Sequence, residues 1–407
     1  MLILVLNCGS SSLKYQLIET GAGQIASNSD RALAQGAVER IGFEDAVSTY
    51  QTTGGEKATR TAAILRHKDA IQIAFDHLTA PGGPLTDIKQ IEAVGHRIVH
   101  GGELFKESVL IDDKVLREIE RVSDLAPLHN PHNLKGYYAS RVLLPDVPQA
   151  AVFDTAFHQT LPRRAFLFGL PYEYYTRDQL RRYGFHGTSH RYVSWRYADI
   201  NKVNRDQMNL VTCHLGNGCS VCAIDHGKSV DTSMGFTPMD GLLMGTRPGD
   251  LDAGAVLYIV NREPMGVHGT EVLLNQNAGL AGISGGTSDM RDLPKKRDAG
   301  DERARDAIDV FCYRIVKYIA SYLAVIGGAE AIVFAGGIGE HSAPIREQVC
   351  HGLRSLGVEL DASANKKIRG TDACISMPNS RPQVWVIPTN EELLIARDTY
   401  RCIAKVN

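Results

Sequence analysis

A continuous apolar run near the start of the chain, residues 2–6, predicts a strand that is buried on both faces. The residues that follow, 7–12, are rich in glycine and serine and favour a turn. Leu13, Tyr15 and Leu17 then alternate with polar residues, which is the period of a second strand. The pattern predicts a β-hairpin with a Gly/Ser loop at its tip.

The same order of patterns returns in the middle of the chain. Residues 210–215 predict a strand, 216–220 a Gly/Ser loop and 221–224 a second strand. Because self-similarity over a long period indicates a repeated unit, the two hairpins suggest an internal duplication. Two short matches alone leave that duplication open.

The rest of the chain mixes strand and helix patterns. A helix is predicted over 308–326, where apolar residues recur at spacings of three and four. A Gly-rich turn is predicted at 336–340, and a helix should follow it with Ser342 as N-cap and Pro344 in its first turn. Further buried strands are predicted at 150–153, 331–334 and 384–387. Buried strands that alternate with helices indicate an α/β fold.

Composition excludes several classes of protein. The chain has 407 residues, which suggests two or three domains, and a formal net charge of -2 argues against a dedicated nucleic-acid binder. No apolar run approaches the roughly 20 residues that cross a bilayer, so we expect no membrane partner. The first apolar run lacks a basic flank and is not a signal peptide. Eight scattered cysteines form no disulfide framework, so we expect a cytoplasmic protein.

Three short motifs fail on inspection. Gly227-Lys228-Ser229 has Cys222 where a P-loop needs glycine, and Gly337-Ile338-Gly339 has Ser342 where a dinucleotide fingerprint needs glycine. The cysteines of the 219–222 CxxC pattern should point to opposite faces of a strand, because their spacing is odd. We therefore interpret them as small buried side chains rather than as a zinc or redox pair.

A fourth motif, 282–286, matches the GxSxG nucleophile elbow of hydrolases. That elbow should follow an apolar strand, whereas residues 275–279 have a loop-like composition. A Gly-rich turn is the favoured interpretation of this segment, and a serine hydrolase would rest on Ser284 alone.

Polar residues that bind anions or transfer protons occur beside glycines at predicted strand ends. Glycine amides cradle phosphate oxygens, arginine matches carboxylate and phosphate, and carboxylates hold magnesium. Together these residues indicate phosphoryl transfer, although each alone is more often structural. They are Arg97, His129, Asp154, His186, His190 and Arg247.

These segments also resemble the acetate kinase family over essentially the whole chain. The similar motifs are 7–14, 95–102, 153–158, 183–190, 214–218, 234–238, 336–340 and 388–392. The family lies in the actin, Hsp70 and sugar kinase superfamily. The resemblance implies an α/β fold of duplicated ribonuclease-H-like (actin-like ATPase) domains with an interdomain nucleotide cleft. It places residues 1–154 with 391–407 in the first domain and 155–390 in the second, which would carry nucleotide contacts and a homodimer interface.

The resemblance also implies roles for individual residues. The catalytic set would be Arg97, Asp154, His186 and Arg247. Substrate would contact Arg97, Val99, Leu128, His129, Phe185 and Pro238. Nucleotide would contact Lys14, His214, Leu215, Gly216, Asn217, Gly218, Asp289, Met290, Arg291, Gly337, Ile338, Gly339, Glu340 and His341. The metal pair would be Asn7 and Glu391, with Mg²⁺ as cofactor and Mn²⁺ as possible substitute.

The implied reaction is reversible transfer of the ATP γ-phosphoryl group to acetate, giving acetyl phosphate and ADP. A propionate or butyrate kinase of the same fold is the nearest alternative. A non-enzymatic actin-like ATP-binding protein would share the hairpins but lack the arginine and histidine set.

Overall fold

The computed structural model describes residues 1–127 and 129–404. The chain divides into two compact units. Unit 1 comprises Met1–Ala156 and Asn390–Asn407, and unit 2 comprises Phe157–Thr389.

The described residues of unit 1 form one eight-stranded mixed sheet with the order β5-β4-β3-β2-β1-β6-β8-β7. Its strands are β1 (Leu2–Cys8), β2 (Ser12–Glu19), β3 (Arg31–Glu39), β4 (Phe43–Thr52), β5 (Ala58–Ile64), β6 (Ala93–Ile98), β7 (Val109–Leu110) and β8 (Gln149–Phe153). Its helices are α1 (Ala22–Ser27), α2 (His67–Thr79), α3 (Asp113–Val122), α4 (Asn130–Leu143) and the C-terminal α16 (Glu391–Ala404).

Unit 2 contains a six-stranded mixed sheet with the order β11-β10-β9-β12-β14-β13. Its strands are β9 (Leu210–Leu215), β10 (Cys219–Asp225), β11 (Lys228–Thr232), β12 (Ala331–Ala335), β13 (Ala373–Cys374) and β14 (Gln383–Val386). Its helices are α5 (Arg163–Phe166), α6 (Tyr172–Asp178), α7 (Gly187–Asn201), α8 (Ala253–Arg262), α9 (Gly266–Val272), α10 (Gly279–Ser284), α11 (Leu293–Asp298), α12 (Glu302–Val325), α13 (Gly336–His341), α14 (Ala343–Gly352) and α15 (Ala362–Lys367).

The two sheets share one topology. In unit 1, β3, β2 and β1 form an antiparallel meander, β6 and β8 continue in parallel, and β7 closes the edge antiparallel. In unit 2, β11, β10, β9, β12, β14 and β13 repeat these directions pair by pair. The duplication that the hairpins suggested is therefore confirmed, and unit 1 adds β4 and β5 at one edge.

Strand β1 is buried on both faces, as its apolar run predicts. Leu4 and Leu6 lie in the core that α2 covers, whereas Ile3 and Val5 pack with α16. Helix α16 approaches closely at Gly95 in β6, where an added Cβ would lie 2.4 Å from the Thr399 hydroxyl. A glycine is needed at this position because no larger residue leaves room for the helix.

Two predictions need correction, one for residues 336–340 and one for the start of helix α12. Residues 336–340 form helix α13 instead of a turn, because Gly336 enters it at a positive φ of 74° and its N–H donates to the Glu340 carboxylate. Ser342 is the N-cap of α14, as predicted, but its side chain makes no capping hydrogen bond. Helix α12 begins at Glu302, before its predicted start, because the Asp301 carboxylate caps it by accepting from the Ala304 N–H. Across the described residues, we find no helix with the length and apolar character that a bilayer crossing requires.

Candidate active site

Unit 1 gathers four of the predicted site residues at the carboxyl ends of its parallel strands. Arg97 in β6 donates from Nε to Asp154 Oδ1 at 2.9 Å and from Nη2 to Oδ2 at 2.6 Å. Asn7 Oδ1 lies 3.4 Å from Arg97 Nη1, and a Glu391 carboxylate oxygen lies 3.9 Å from Nε. Because β1, β6 and β8 are adjacent and parallel, their ends bring these side chains together.

The charges in this cluster are balanced. Burial would lower the pKa of the Arg97 guanidinium, but Asp154 and Glu391 more than offset it and the net shift is upward. Burial and the neighbouring Glu391 raise the pKa of Glu392, which Lys14 opposes. Lys14 pairs in register with Asn7 across the first hairpin. This unit 1 cluster of Asn7, Arg97, Asp154 and Glu391 therefore places side-chain oxygens around one charged guanidinium.

The predicted acyl-binding residues lie in both units. In unit 1, Val99 is 8% exposed, its N–H donates to Asn133 Oδ1 at 3.0 Å, and His129 is the N-cap of α4. The resemblance implies that Val99, Leu128, Phe185 and Pro238 form an apolar wall around the acetate methyl group, the acyl wall. Leu128 lies outside the described residues. In unit 2, Phe185 is buried and Pro238 accepts a hydrogen bond from Arg247.

Two imidazoles in unit 2 are stacked beside the second Gly-rich loop. The rings of His186 and His214 have centroids 4.2 Å apart and an interplanar angle of 30°. Ser220 Oγ lies 2.9 Å from His186 Nδ1, and Ser189 Oγ lies 2.7 Å from His214 Nδ1. An added Cβ at Gly218 would lie 3.3 Å from His186 Nε2, so the loop leaves the ring room that any larger residue would fill.

Arg247 reaches the same loop from another direction. Its Nη2 lies 2.8 Å from the position of an added Cβ at Gly218. Burial lowers the pKa of its guanidinium, and the side chain contacts no carboxylate in the part of the chain that the structure describes. Unlike Arg97, it is a charge without a counter-charge, which is the property of an anion-binding group.

The loop that carries Arg247 is anchored by residues that sequence analysis missed. Arg182 Nη1 donates to the carbonyls of residues 232–234, and its Nη2 lies 3.2 Å from Asp240. Asp250 accepts from the Gly241 N–H and from the Tyr318 hydroxyl. No local motif marks these contacts, because they join segments that are far apart in sequence.

A cavity of about 640 Å³ in unit 2 brings most of the predicted nucleotide residues together. The predicted residues that line it are Gly216, Asn217, Asp289, Met290, Arg291, Gly337, Ile338 and His341. The lining residues that sequence analysis missed are Ser288, Pro294, Ser342 and Pro344. The predicted residues outside its lining are Lys14, His214, Leu215, Gly218, Gly339 and Glu340.

Three of the predicted residues outside the cavity lining hold helix α13, which contributes to that lining, in place. The Glu340 carboxylate accepts from the Gly336 N–H at 2.8 Å and from the Thr389 N–H at 3.1 Å. Leu215 backbone atoms would lie within 2.9 Å of a Cβ on Gly336, and Gly339 packs near Leu215 and Phe334. These contacts hold α13 against β9.

The rejected motifs are structural. Ser284 ends helix α10, and its hydroxyl bonds only within the turn to Thr287 among the described residues. Residues Leu273–Asn277 before it form a π-helical turn, so the predicted loop is wrong there. Cys219 and Cys222 are buried in β10, and burial raises the pKa of both thiols, that of Cys219 to about 12.

Comparison with known proteins identifies the family. Residues 2–397 match the model of the acetokinase family. The chain belongs to the acetokinase family. It is 50% identical to the acetate kinase of Chloroherpeton thalassium over the full length of both chains.

Solved structures agree with this acetokinase assignment. A Porphyromonas gingivalis acetate kinase is similar with a TM-score of 0.92, 42% identity and 99% coverage of both chains. A Francisella tularensis propionate kinase is similar with a TM-score of 0.90, 40% identity and 98% coverage of both chains. The predicted family and the predicted two-domain α/β fold are confirmed.

The buried histidine behind Phe185 generates a prediction about pH. His158 is fully buried, its Nε2 donates to the Phe185 carbonyl, and burial lowers its pKa to about 4. In the unfolded chain His158 binds a proton near pH 6.5, whereas in the folded chain it binds one only near pH 4. The unfolded chain therefore binds more protons between these values, and the free energy of unfolding should fall as pH drops from about 6.5 to about 4. Each such proton contributes a slope of about 1.4 kcal/mol per pH unit.

The measurement is urea unfolding between about pH 7 and about pH 5 for the wild type and two variants. His158→Asn should make the pH dependence shallower by up to one proton. His268→Asn, at a side chain that is 90% exposed, should leave the slope unchanged. Equal slopes for all three proteins would contradict the burial argument.

Proposed function

We propose that the protein catalyses reversible transfer of the ATP γ-phosphoryl group to acetate, giving acetyl phosphate and ADP. Family membership confirms the predicted enzyme class, a phosphotransferase with a carboxyl group as acceptor. The observation that carries the proposal is the uncompensated guanidinium of Arg247 beside the Gly216–Gly218 loop and two imidazoles. That arrangement suits a phosphoryl group.

The chemistry needs little beyond alignment and charge compensation. Acetate is ionised at neutral pH, so its oxygen attacks phosphorus without a general base. Negative charge is spread over the equatorial oxygens of the transferring group, and donors fixed in advance stabilise it. We assign Arg247 and His186 to those oxygens, Arg97 to acetate and phosphoryl, and Asp154 to the orientation of Arg97.

The unit 1 cluster fits a magnesium ion that also binds substrate phosphates. Mg²⁺ uses one or two carboxylates and keeps several waters, so it needs no dense cage of ligands. Among the described residues, we find no group of three histidine, cysteine or acidic side chains that is able to hold a metal. We assign Asn7 and Glu391 to the ion, because Asp154 is already engaged by Arg97. The ion would supply positive charge for the phosphates.

The 640 Å³ cavity is proposed to hold adenosine. Residues 289–291 border it together with Gly337, Ile338 and His341, and the Gly216–Gly218 loop leads from it to the two imidazoles. Gly-rich backbone suits phosphate oxygens because its N–H groups are open to close approach. A hydrolase centred on Ser284 has no support from these contacts.

Assembly as a homodimer is also proposed, through the surface of α8 and α9. Helix α8 buries none of its ten residues, although its sequence is largely apolar. Leu257 and Tyr258 are 62% and 61% exposed, and Val267 in α9 is 75% exposed. Exposed apolar patches mark interaction sites, and a symmetric pair of copies is the commonest way to cover one.

The cytoplasmic location stays a prediction.

Light scattering tests the dimer. The wild type should have twice the mass of one 44.5 kDa chain. Leu257→Glu should shift it toward the single-chain mass, because the substitution places two charges in a buried contact. Leu356→Glu, at another exposed leucine of unit 2, should not. A single-chain mass for the wild type at micromolar concentration would reject the dimer.

Activity tests the arginine assignments. Arg97→Ala and Arg247→Ala should each lower turnover by about 10³- to 10⁵-fold, as loss of a transition-state arginine does. Lysine should restore little, because it lacks the planar fork. Acetyl phosphate is trapped with hydroxylamine, and circular dichroism checks the fold. Arg305→Ala, at an exposed position in α12, is the matched control. Near-normal turnover in both site variants would sink the assignment.

The acyl wall gives a prediction about chain length. One additional methylene gains about 0.8 kcal/mol on burial, whereas overpacking costs about 1–3 kcal/mol. Acetate should therefore be preferred to propionate, by about 10- to 200-fold at most. Val99→Ala should narrow or reverse that preference because it makes room.

The measurement is the ratio of kcat/KM for acetate over propionate. Val109→Ala, in edge strand β7, is the control whose ratio should match the wild type. A wild-type ratio below one would move the assignment to propionate kinase. A ratio that Val99→Ala leaves untouched would remove Val99 from the wall.

A further inference from the structure

A chain of hydrogen bonds runs from the interior of unit 2 to His186. Thr212 Oγ1 lies 2.7 Å from His190 Nδ1, and His190 Nε2 lies 2.8 Å from Ser220 Oγ. Ser220 Oγ in turn lies 2.9 Å from His186 Nδ1. Thr212, His190 and Ser220 are all 0% exposed. None of them has a role in the reaction as proposed above.

The donor and acceptor roles in this series of hydrogen bonds are fixed by Thr212, its innermost member. Within residues 1–127 and 129–404, the Thr212 hydroxyl has one hydrogen-bond partner, His190 Nδ1. A buried O–H group has to donate to something, so Thr212 donates and His190 Nδ1 accepts. Burial lowers the pKa of His190 well below its ordinary value, and His158 and His214 add to the shift. The ring is therefore neutral and carries its single proton on Nε2.

The donor and acceptor roles of Ser220 and His186 follow from that of His190. His190 Nε2–H donates to Ser220 Oγ, so the single hydrogen of Ser220 is left for the other partner, His186 Nδ1. His186 accepts at Nδ1 and must carry its own proton on Nε2. That nitrogen faces the Gly218 backbone, 3.3 Å from an added Cβ there.

We infer that Thr212, His190 and Ser220 are positioning residues that hold His186 as the Nε2–H tautomer, ready to donate to the transferring phosphoryl group. The inference rests on the proposed function of His186. A donor that is fixed before the reaction stabilises the developing charge without reorganisation. The opposite tautomer would present a lone pair to an anion, which is repulsive.

The neighbouring imidazole obeys the same rule. The buried Ser189 hydroxyl has His214 Nδ1 as its partner in the described parts of the chain, so it donates there. His214 is thereby also assigned a proton on Nε2. The two stacked rings are then both assigned the Nε2–H tautomer.

Thr212 provides the sharpest test, because it touches His190 and not His186. Thr212→Val keeps the shape of the side chain but removes the hydroxyl, and Thr212→Ser keeps the hydroxyl but loses a methyl group. Ser220→Ala removes the link itself. Ser194→Ala is the control, since that buried hydroxyl donates only to the Arg191 carbonyl of its own helix among the described residues.

Two readouts are needed. The first is the tautomer of His186, read from ¹⁵N shifts of Nδ1 and Nε2 in protein labelled at histidine, with His186→Gln for assignment. The second is the split between kcat and KM for ATP and acetate. Loss of the link should lower kcat about 10- to 100-fold, the loss that follows removal of the hydrogen-bond partner of a metal-ligating imidazole. Both KM values should stay within about twofold, because ground-state binding is unchanged.

Thr212→Val and Ser220→Ala should populate the Nδ1–H form of His186 and lower kcat, whereas Thr212→Ser and Ser194→Ala should behave as wild type. An unchanged tautomer in both Thr212→Val and Ser220→Ala, or a wild-type ring with its proton on Nδ1, would overturn the inference. Loss of function in Thr212→Ser equal to that in Thr212→Val would show packing alone and would also overturn it. The ¹⁵N measurement needs no turnover, so it tests the tautomer of His186 independently of the proposed reaction. A failure of the proposed reaction would show separately, because wild-type protein would then form no acetyl phosphate that hydroxylamine traps.

Discussion

Arg247 contacts no carboxylate among the residues that the structure describes, and this charge without a counter-charge is the constraint on which the surrounding loop depends. Removing a cation from water is costly unless another group compensates it, and the pKa of the Arg247 guanidinium falls for that reason. Arg182 binds three consecutive carbonyls before the loop, and Asp250 binds the Gly241 N–H within it. These hydrogen bonds hold the loop that carries the unpaired Arg247 charge.

Arg97 in unit 1 differs from Arg247 because it has carboxylate partners. Arg97 is bound by both oxygens of Asp154 and lies near Glu391, so its position is fixed and its charge is balanced. The ion pair fixes the orientation of the Arg97 guanidinium, whereas Arg247 has no carboxylate partner among the described residues. The duplicated sheets do not place the two arginines equivalently, because Arg97 lies in β6 whereas Arg247 lies in the loop between β11 and α8.

Sequence analysis found what depends on local pattern. The two hairpins, the buried strands and helix α12 follow from apolar periodicity, and the Gly-rich loops follow from composition. It missed β3, β4 and β5, whose mixed exposure gives a weak alternation. It took 336–340 for a turn, because the bond from the Gly336 N–H to Glu340 that stabilises α13 cannot be seen in composition. The Arg182 anchor and the Thr212–His190–Ser220 chain join distant segments, so no single-sequence pattern contains them.

Burial keeps three histidines of the chain neutral at physiological pH. Burial depresses the pKa values of His96 and His158 to about 4, and that of His190 falls well below its ordinary range. Neutral rings act as directional links, because each has one donor and one acceptor. A charged His190 ring would donate at both nitrogens, so its Nδ1 would no longer accept from the Thr212 hydroxyl. The low dielectric interior that makes ionisation costly is therefore also what gives the hydrogen-bond chain a single direction, and that direction ends at His186.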